Sequence, residues 1–241
     1  MKTVNSVRWL RISLWGIALL LVVLTPAISQ NSNPGVIPIQ AKAHGMTYGE
    51  WSAGWWKWLL GIPADQTSPF NWPNTGACST GQLGSVWYLI GISPNPGTAT
   101  ITCTIPPGKA LFFPLINVEC SSLEIDPFFG ATAAARQICT AADLQGVGNL
   151  FAEVDGVPLQ NLTSYRAASP DFDFVVPYPN ILSVPGHDVA AGAGKAAADG
   201  YYIMLAPLSH GTHTLHFGGS VLTGPLAGFS IDTTYHLTIS N

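Results

Sequence analysis

Three groups of side chains in this sequence could do chemistry. Glu119, Glu124 and Asp126 follow one another closely at the end of a β-branched, aromatic segment. Paired carboxyls serve glycoside hydrolysis, one as acid and the other as base or nucleophile. After Glu124-Ile125-Asp126, however, come Pro127, Phe128 and Phe129, so the second carboxylate of that mechanism is missing from the place where a Glu-x-Asp strand would carry it. Elimination on a uronate would instead need a Tyr or His base with a cation against the acid, residue types that Tyr165 and Arg166 supply. His210, His213 and His216 crowd together near the C-terminus, with His236 further on. Imidazoles on one strand share a face only at even spacing, so His213 and His216 should point apart. His210 and His213 could chelate a metal across a bend at Gly211, with His236 or Asp232 as third ligand. A hydrogen-bonded structural role is the simpler expectation for these histidines. Finally, Trp51, Trp55, Trp56 and Trp58 lie within one short stretch. Trp51, Trp55 and Trp58 share a helical face and should be core. Trp56, with Trp72 and Trp87, is the candidate platform for stacking a sugar ring.

Other chemistries leave no trace. There is no Gly-x-Ser-x-Gly elbow, and Gly192-Ala193-Gly194-Lys195 lacks both the spacing and the following Ser or Thr of a phosphate loop. An enzyme built here would combine Glu119 or Asp126 with His213 or Tyr165. No cofactor is expected.

The elements that must hold these groups are mostly strands. Thr47-Tyr48-Gly49-Glu50 is a capping box, and Trp51, Trp55, Trp58, Leu59 and Ile62 continue at helical spacing until Gly61 and Pro63 stop the helix. The alanine-rich stretch 132–144 predicts a second helix. Strands are predicted over 85–92, 98–105, 109–118, 151–154, 157–162, 171–177, 200–206, 211–218 and 233–240. The turns between them include Pro94-Asn95-Pro96-Gly97 and the hairpin signal Asp155-Gly156. The simplest assembly is a mostly β protein, a two-layer antiparallel β-sandwich of jelly-roll type with an N-terminal Trp-rich helix and one inserted helix.

The N-terminus has its own character. Lys2, Arg8 and Arg11 precede an apolar run from Ile12 to Leu24, too short to span a bilayer comfortably, and then come Pro26 and the small residues Ala27 and Ser29. A signal peptide over 1–29 is expected, then a leader segment over 30–46 and a single domain over 47–241. Cleavage would remove three of the nine Lys and Arg and leave all 13 acidic residues. An acidic chain without a basic cluster argues against nucleic acid and anionic membrane as partners. Charged residues are only 9% of the whole, which suits a turn-rich surface of hydroxyls and amides. The four cysteines, Cys78, Cys103, Cys120 and Cys139, form no Cys-x-x-Cys knuckle for zinc. Two disulfides are expected, and of the three pairings the sequential one closes the shortest loops.

Three segments together carry a resemblance: Tyr48-Gly49-Glu50-Trp51-Ser52-Ala53 with Trp55-Trp56-Lys57-Trp58, the run from Cys103 through Pro106-Pro107-Gly108-Lys109 to Pro114, and Pro207-Leu208-Ser209-His210-Gly211-Thr212-His213. The chain resembles a family of uncharacterised secreted bacterial proteins over nearly all of its mature length. That resemblance implies a bacterial, exported protein and brings no activity, cofactor or site. Together these readings point to a secreted or periplasmic, non-catalytic module that binds a glycan or an envelope protein, with a polysaccharide hydrolase or lyase as the alternative.

Overall fold

The computed structural model describes residue 1 and residues 33, 35–92 and 98–241. The expected signal peptide and the Pro94-Asn95-Pro96-Gly97 turn lie outside the described residues. Helix α1 (Tyr48–Leu60) starts as its sequence demands. The Thr47 hydroxyl accepts from the Glu50 N–H, and the Glu50 carboxylate accepts from the Thr47 N–H at 2.7 Å. A 3₁₀ turn (Pro69–Asn71) and the short α2 (Trp72–Thr75) follow, and α3 (Ala133–Asp143) is capped by Thr132.

Ten strands are present among the described residues: β1 (Val86–Tyr88), β2 (Ala99–Ile105), β3 (Ala110–Ser121), β4 (Val147–Val154), β5 (Val157–Pro158), β6 (Arg166–Ala168), β7 (Phe172–Val176), β8 (Gly192–Leu205), β9 (Gly211–Val221) and β10 (Ser230–Ile239). One sheet runs β1-β3-β8-β6, with β7 also on β8, and the other runs β2-β10-β9-β4-β5. The two face each other across a core in which Phe113 of β3 meets Phe217 of β9, ring centroids 4.5 Å apart. The arrangement is therefore sandwich-like, but the expected all-antiparallel jelly roll needs correcting. β1 pairs with β3 in parallel and β2 pairs with β10 in parallel, so both sheets are mixed. The reason is that β2 leaves the sheet of β1 and β3 and joins the opposite one beside the last strand, which local periodicity cannot foresee.

The strand β3 is buried on both faces for nearly its whole length. One face meets the second sheet and the other is covered by α1 and α3, so the sheet needs small residues where the helices press. The tract Gly192-Ala193-Gly194-Lys195-Ala196-Ala197-Ala198-Asp199-Gly200 meets that need as the first half of β8, where a loop had been expected before a strand at 200. A Cβ on Gly194 would stand 2.7 Å from the Phe174 ring, and one on Gly200 2.6 Å from Asn117 Cβ. β-Propensity loses here to the space available. The segment expected as a leader is also part of the fold. Val36 bridges to Leu205, Asn33 exchanges hydrogen bonds with the backbone of Gln160, and the Tyr48 hydroxyl donates to Ile37 O.

Both disulfides form in sequential order, Cys78–Cys103 and Cys120–Cys139. Arg136 of α3 is buried and grips both oxygens of Asp171, at 2.7 and 2.9 Å, while donating to Gly130 O. No helix among the described residues is long and apolar enough to cross a membrane.

Candidate functional site

A cavity of about 420 Å³ opens where β3 loses its neighbour. β1 pairs only with Ala110–Phe112, so beyond that point one edge of β3 carries no partner strand among the described residues. Asn117, Val118 and Glu119 reach the cavity from that edge, and Glu124 reaches it from the loop after β3. Trp56 of α1 closes one side. The remaining walls are apolar: Phe70 from the 3₁₀ turn, Phe128 from the loop before α3, Ile181 and Leu182 from the loop after β7, and Leu226 and Phe229 from the β9–β10 connection. A smaller cavity of about 210 Å³ adjoins it and shares Glu124, Phe128 and Leu182. Exposed apolar side chains stand at the mouths of both, Phe70 and Phe229 at the first, Ile125 and Val184 at the second.

Four buried polar atoms in the larger cavity make no hydrogen bond of good geometry, Trp56 Nε1, Asn117 Nδ2 and both carboxyl oxygens of Glu119, although the Tyr202 hydroxyl lies beside the first two side chains and Glu124 beside the third. Leaving such groups unpaired in the interior costs about 1–3 kcal/mol each. Glu119 is 4% exposed. Burial pushes its carboxyl well above the usual range, and the neighbouring charge of Glu124 adds to the effect. Glu124 accepts a hydrogen bond from the Ser121 hydroxyl at 2.8 Å, yet burial still pushes it up to about 7. The two carboxyls lie close enough to perturb each other, although neither Glu119 oxygen meets hydrogen-bond geometry. No Lys or Arg lines the cavity among the described residues; His187, whose Nε2 lies 2.8 Å from Leu123 O, lowers the Glu124 pKa in part. Near neutral pH the pair therefore tends to retain a proton in a mainly apolar chamber.

The other residues singled out from the sequence are scattered. Trp72 and Trp87 are buried in the core, away from this cavity, so Trp56 alone of the three candidate platforms lines it. Asp126 is exposed beside the smaller cavity. Tyr165 is buried against Tyr48, ring centroids 6.2 Å apart. The structure thus brings Glu119 together with Glu124 and Trp56, and leaves Tyr165 and His213 outside the cavity.

His210, His213 and His236 do not converge on a metal-binding geometry among the described residues. Cys120, Cys139 and Asp143 lie together, but both thiols are consumed in the disulfide. His216 pairs with Asp232 at 2.9 Å. His213 sits between Asp155 and Ser209, with Nδ1 2.7 Å from the carboxylate and Nε2 3.3 Å from the Ser209 hydroxyl. Those contacts have the order of a nucleophile triad, yet Nε2 also lies 3.1 Å from the Ser209 carbonyl oxygen. An N–H is favourable against a carbonyl and against a carboxylate alike, so these contacts suit the imidazolium form, in which Nε2 has no lone pair to take the hydroxyl proton. Asp155 accordingly holds the His213 pKa above its ordinary value. This is a clamp between the β4–β5 turn and the start of β9.

The sequence offers Glu119 with Glu124 as one group of candidates and Trp56 as another, without joining the two. The signal it lacked is Asn117, an unremarkable amide in an apolar strand, and the ring of apolar residues from four loops. No protein-family model matches the chain, and no curated protein matches it. Solved structures similar to it include the cysteine protease inhibitor EhICP2 from Entamoeba histolytica, at 17% identity and a TM-score of 0.22, covering 64% of this chain and 97% of that one. Amebosin is 11% identical at a TM-score of 0.22, over 65% of this chain and 99% of that one. PbICP-C, solved in complex with falcipain-2, is 11% identical at a TM-score of 0.24, over 65% of this chain and all of that one. Likeness at this level carries no argument about fold or function.

Proposed function

We propose that this protein is an exported binding module whose pocket takes a small molecule with an apolar body and one polar head. The observation that carries the reading is the group of orphaned polar atoms, Trp56 Nε1, Asn117 Nδ2 and the Glu119 carboxyl, gathered in a cavity with otherwise apolar walls. Ligand sites have this character: a few convergent polar groups fix orientation while apolar walls supply most of the burial. The head would complete the missing hydrogen bonds and the body would lie against Phe70, Phe128 and Phe229. Two disulfides support an oxidising compartment. A glycan would find one indole to stack on and few hydroxyl partners, so a compact amphiphile fits better than a bare sugar. Titration with a panel of small aryl and alkyl amphiphiles and of oligosaccharides, followed by tryptophan fluorescence and calorimetry, tests this. Saturable binding of an amphiphile that Glu119→Gln or Trp56→Ala weakens about tenfold is expected. Silence across the amphiphiles, or binding untouched by both variants, refutes it.

A second reading rests on the Glu119 and Glu124 pair. Two carboxyls with raised pKa offer an acid and a base at neutral pH, as hydrolysis or elimination requires. Product release from a bound ligand, abolished in both Glu→Gln variants, would favour this reading over simple binding.

A further inference from the structure

We infer that the head group the pocket selects is an ammonium, so that the ligand is a hydrophobic amine. The inference rests on the binding reading above and names the ligand class for that same pocket. It starts from an imbalance of charge. Glu119 and Glu124 both reach the cavity, none of its lining residues is basic, and neither carboxyl has a Lys or Arg within ion-pair distance among the described residues. A buried carboxylate without a counter-ion is costly and is normally neutralised by a proton or paired with a cation. Among the described residues the cavity has no cation of its own beyond the influence of His187 on Glu124. A ligand ammonium would fill that place.

The walls suit the same ion. Trp56, Phe70, Phe128 and Phe229 surround the cavity with aromatic rings, whose faces attract a desolvated cation. Trp56 Nε1 and Asn117 Nδ2 are donors, and once Glu119 ionises they can serve the carboxylate lone pairs that the ammonium leaves free. A carboxylate ligand would meet like charge. An alcohol would find partners but no charge to neutralise. The joined cavities give the body of the amine room to run from the Glu119 end past Glu124 and Phe128 toward Ile125 and Val184.

The protonation balance follows. The free pair keeps a proton near neutrality, and an arriving ammonium lowers both carboxyl pKa values, so a proton is expelled to solvent on binding. Affinity should therefore rise with pH until the amine itself deprotonates. The titratable groups bearing on this are Glu119 of β3, Glu124 of the following loop, Asp126 at the smaller cavity, and His187 of the turn beside Leu123. The Tyr202 hydroxyl beneath Trp56 and Asn117 is pushed too high to ionise.

The test is calorimetry of the full chain with three probes of equal shape, phenylbutylamine, phenylbutanol and phenylbutyrate, in two buffers of different ionisation enthalpy. The amine should bind at least about tenfold more tightly than the alcohol, as a desolvated charge pair demands, and should release protons on binding. In Glu119→Gln combined with Glu124→Gln the amine should lose its preference, the ratio of amine to alcohol affinity falling to about one. Equal or tighter binding of the alcohol by the natural chain would overturn the ammonium and leave the pocket reading standing. An amine preference that survives the double substitution would overturn it as well. Failure of all three probes to bind would remove the pocket reading and the inference together.

Discussion

Glu119 shows how a single side chain can hold a tension that the rest of the fold tolerates. The unfolded chain ionises this carboxyl near its ordinary value of 4.5, whereas the folded chain keeps it protonated to a higher pH. The folded state then binds more protons than the unfolded one, and stability must fall as pH rises above about 4.5. Glu124, with its pKa pushed up to about 7, acts in the same direction over the same window. Glu119→Gln should therefore be neutral at acid pH and more stable than the natural chain at mildly alkaline pH. Urea melts at the two ends of that range check the sign. His213 works differently. Its pKa is raised by Asp155, so its contribution is fully present below its unfolded value of 6.5 and is lost as pH climbs through the folded one. Because Asp155 is half exposed, Asp155→Asn should cost only about 0.2–1 kcal/mol below that value, and almost nothing above. The clamp reading also requires that an active-site serine probe leave Ser209 unlabelled, which mass spectrometry would read directly. At this scale the sequence showed the residue types and the crowding of Glu119 with Glu124. It could not show that Tyr165 and His213 face elsewhere, since side-chain direction depends on which layer each strand joins.

Helix α3 is held by one arginine. Arg136 is buried, bidentate to Asp171 and bonded to Gly130 O, so it ties the helix to the entry of β7 and to the loop that ends in Phe128 and Phe129. Arg136→Ala would strand the Asp171 charge and should cost about 3 kcal/mol, visible as a lowered urea midpoint with little change in slope. The two helices were legible because their signals are local: the Thr47 and Glu50 cap, the Thr132 start, the alanines between. The Asp155-Gly156 turn was equally plain, and both residues adopt the positive φ it demands. β8 was not legible over its first half. Its glycines and alanines favour no strand by themselves and are selected by Phe174, Asn117 and the helices packed above them.

On the scale of the whole molecule, each disulfide staples a segment outside the sheets to a strand. Cys78–Cys103 ties the segment after α2 to β2, and Cys120–Cys139 ties the end of β3 to α3, next to Glu119. With sequence separations of 25 and 19 residues, each closure should be worth about 3 kcal/mol on a chain-entropy account. Cys120→Ser with Cys139→Ser should lower the urea midpoint accordingly and weaken ligand binding at the pocket, because α3 no longer pins the Phe128 loop. An unchanged midpoint would mean that the native packing alone holds α3. Composition, cap and turn determined by themselves that the chain is mostly β and carries α1 and α3, and cysteine spacing favoured pairing in order without deciding it, since each of those depends on neighbours within a few turns of chain. Which sheet β2 enters, and therefore the mixed sheets and the bare edge of β3, was decided only by long-range pairing. The pocket follows from that edge: Trp56, Glu119, Leu182 and Phe229 are far apart in sequence and meet because burial of apolar surface, which has no direction along the chain, draws their layers together.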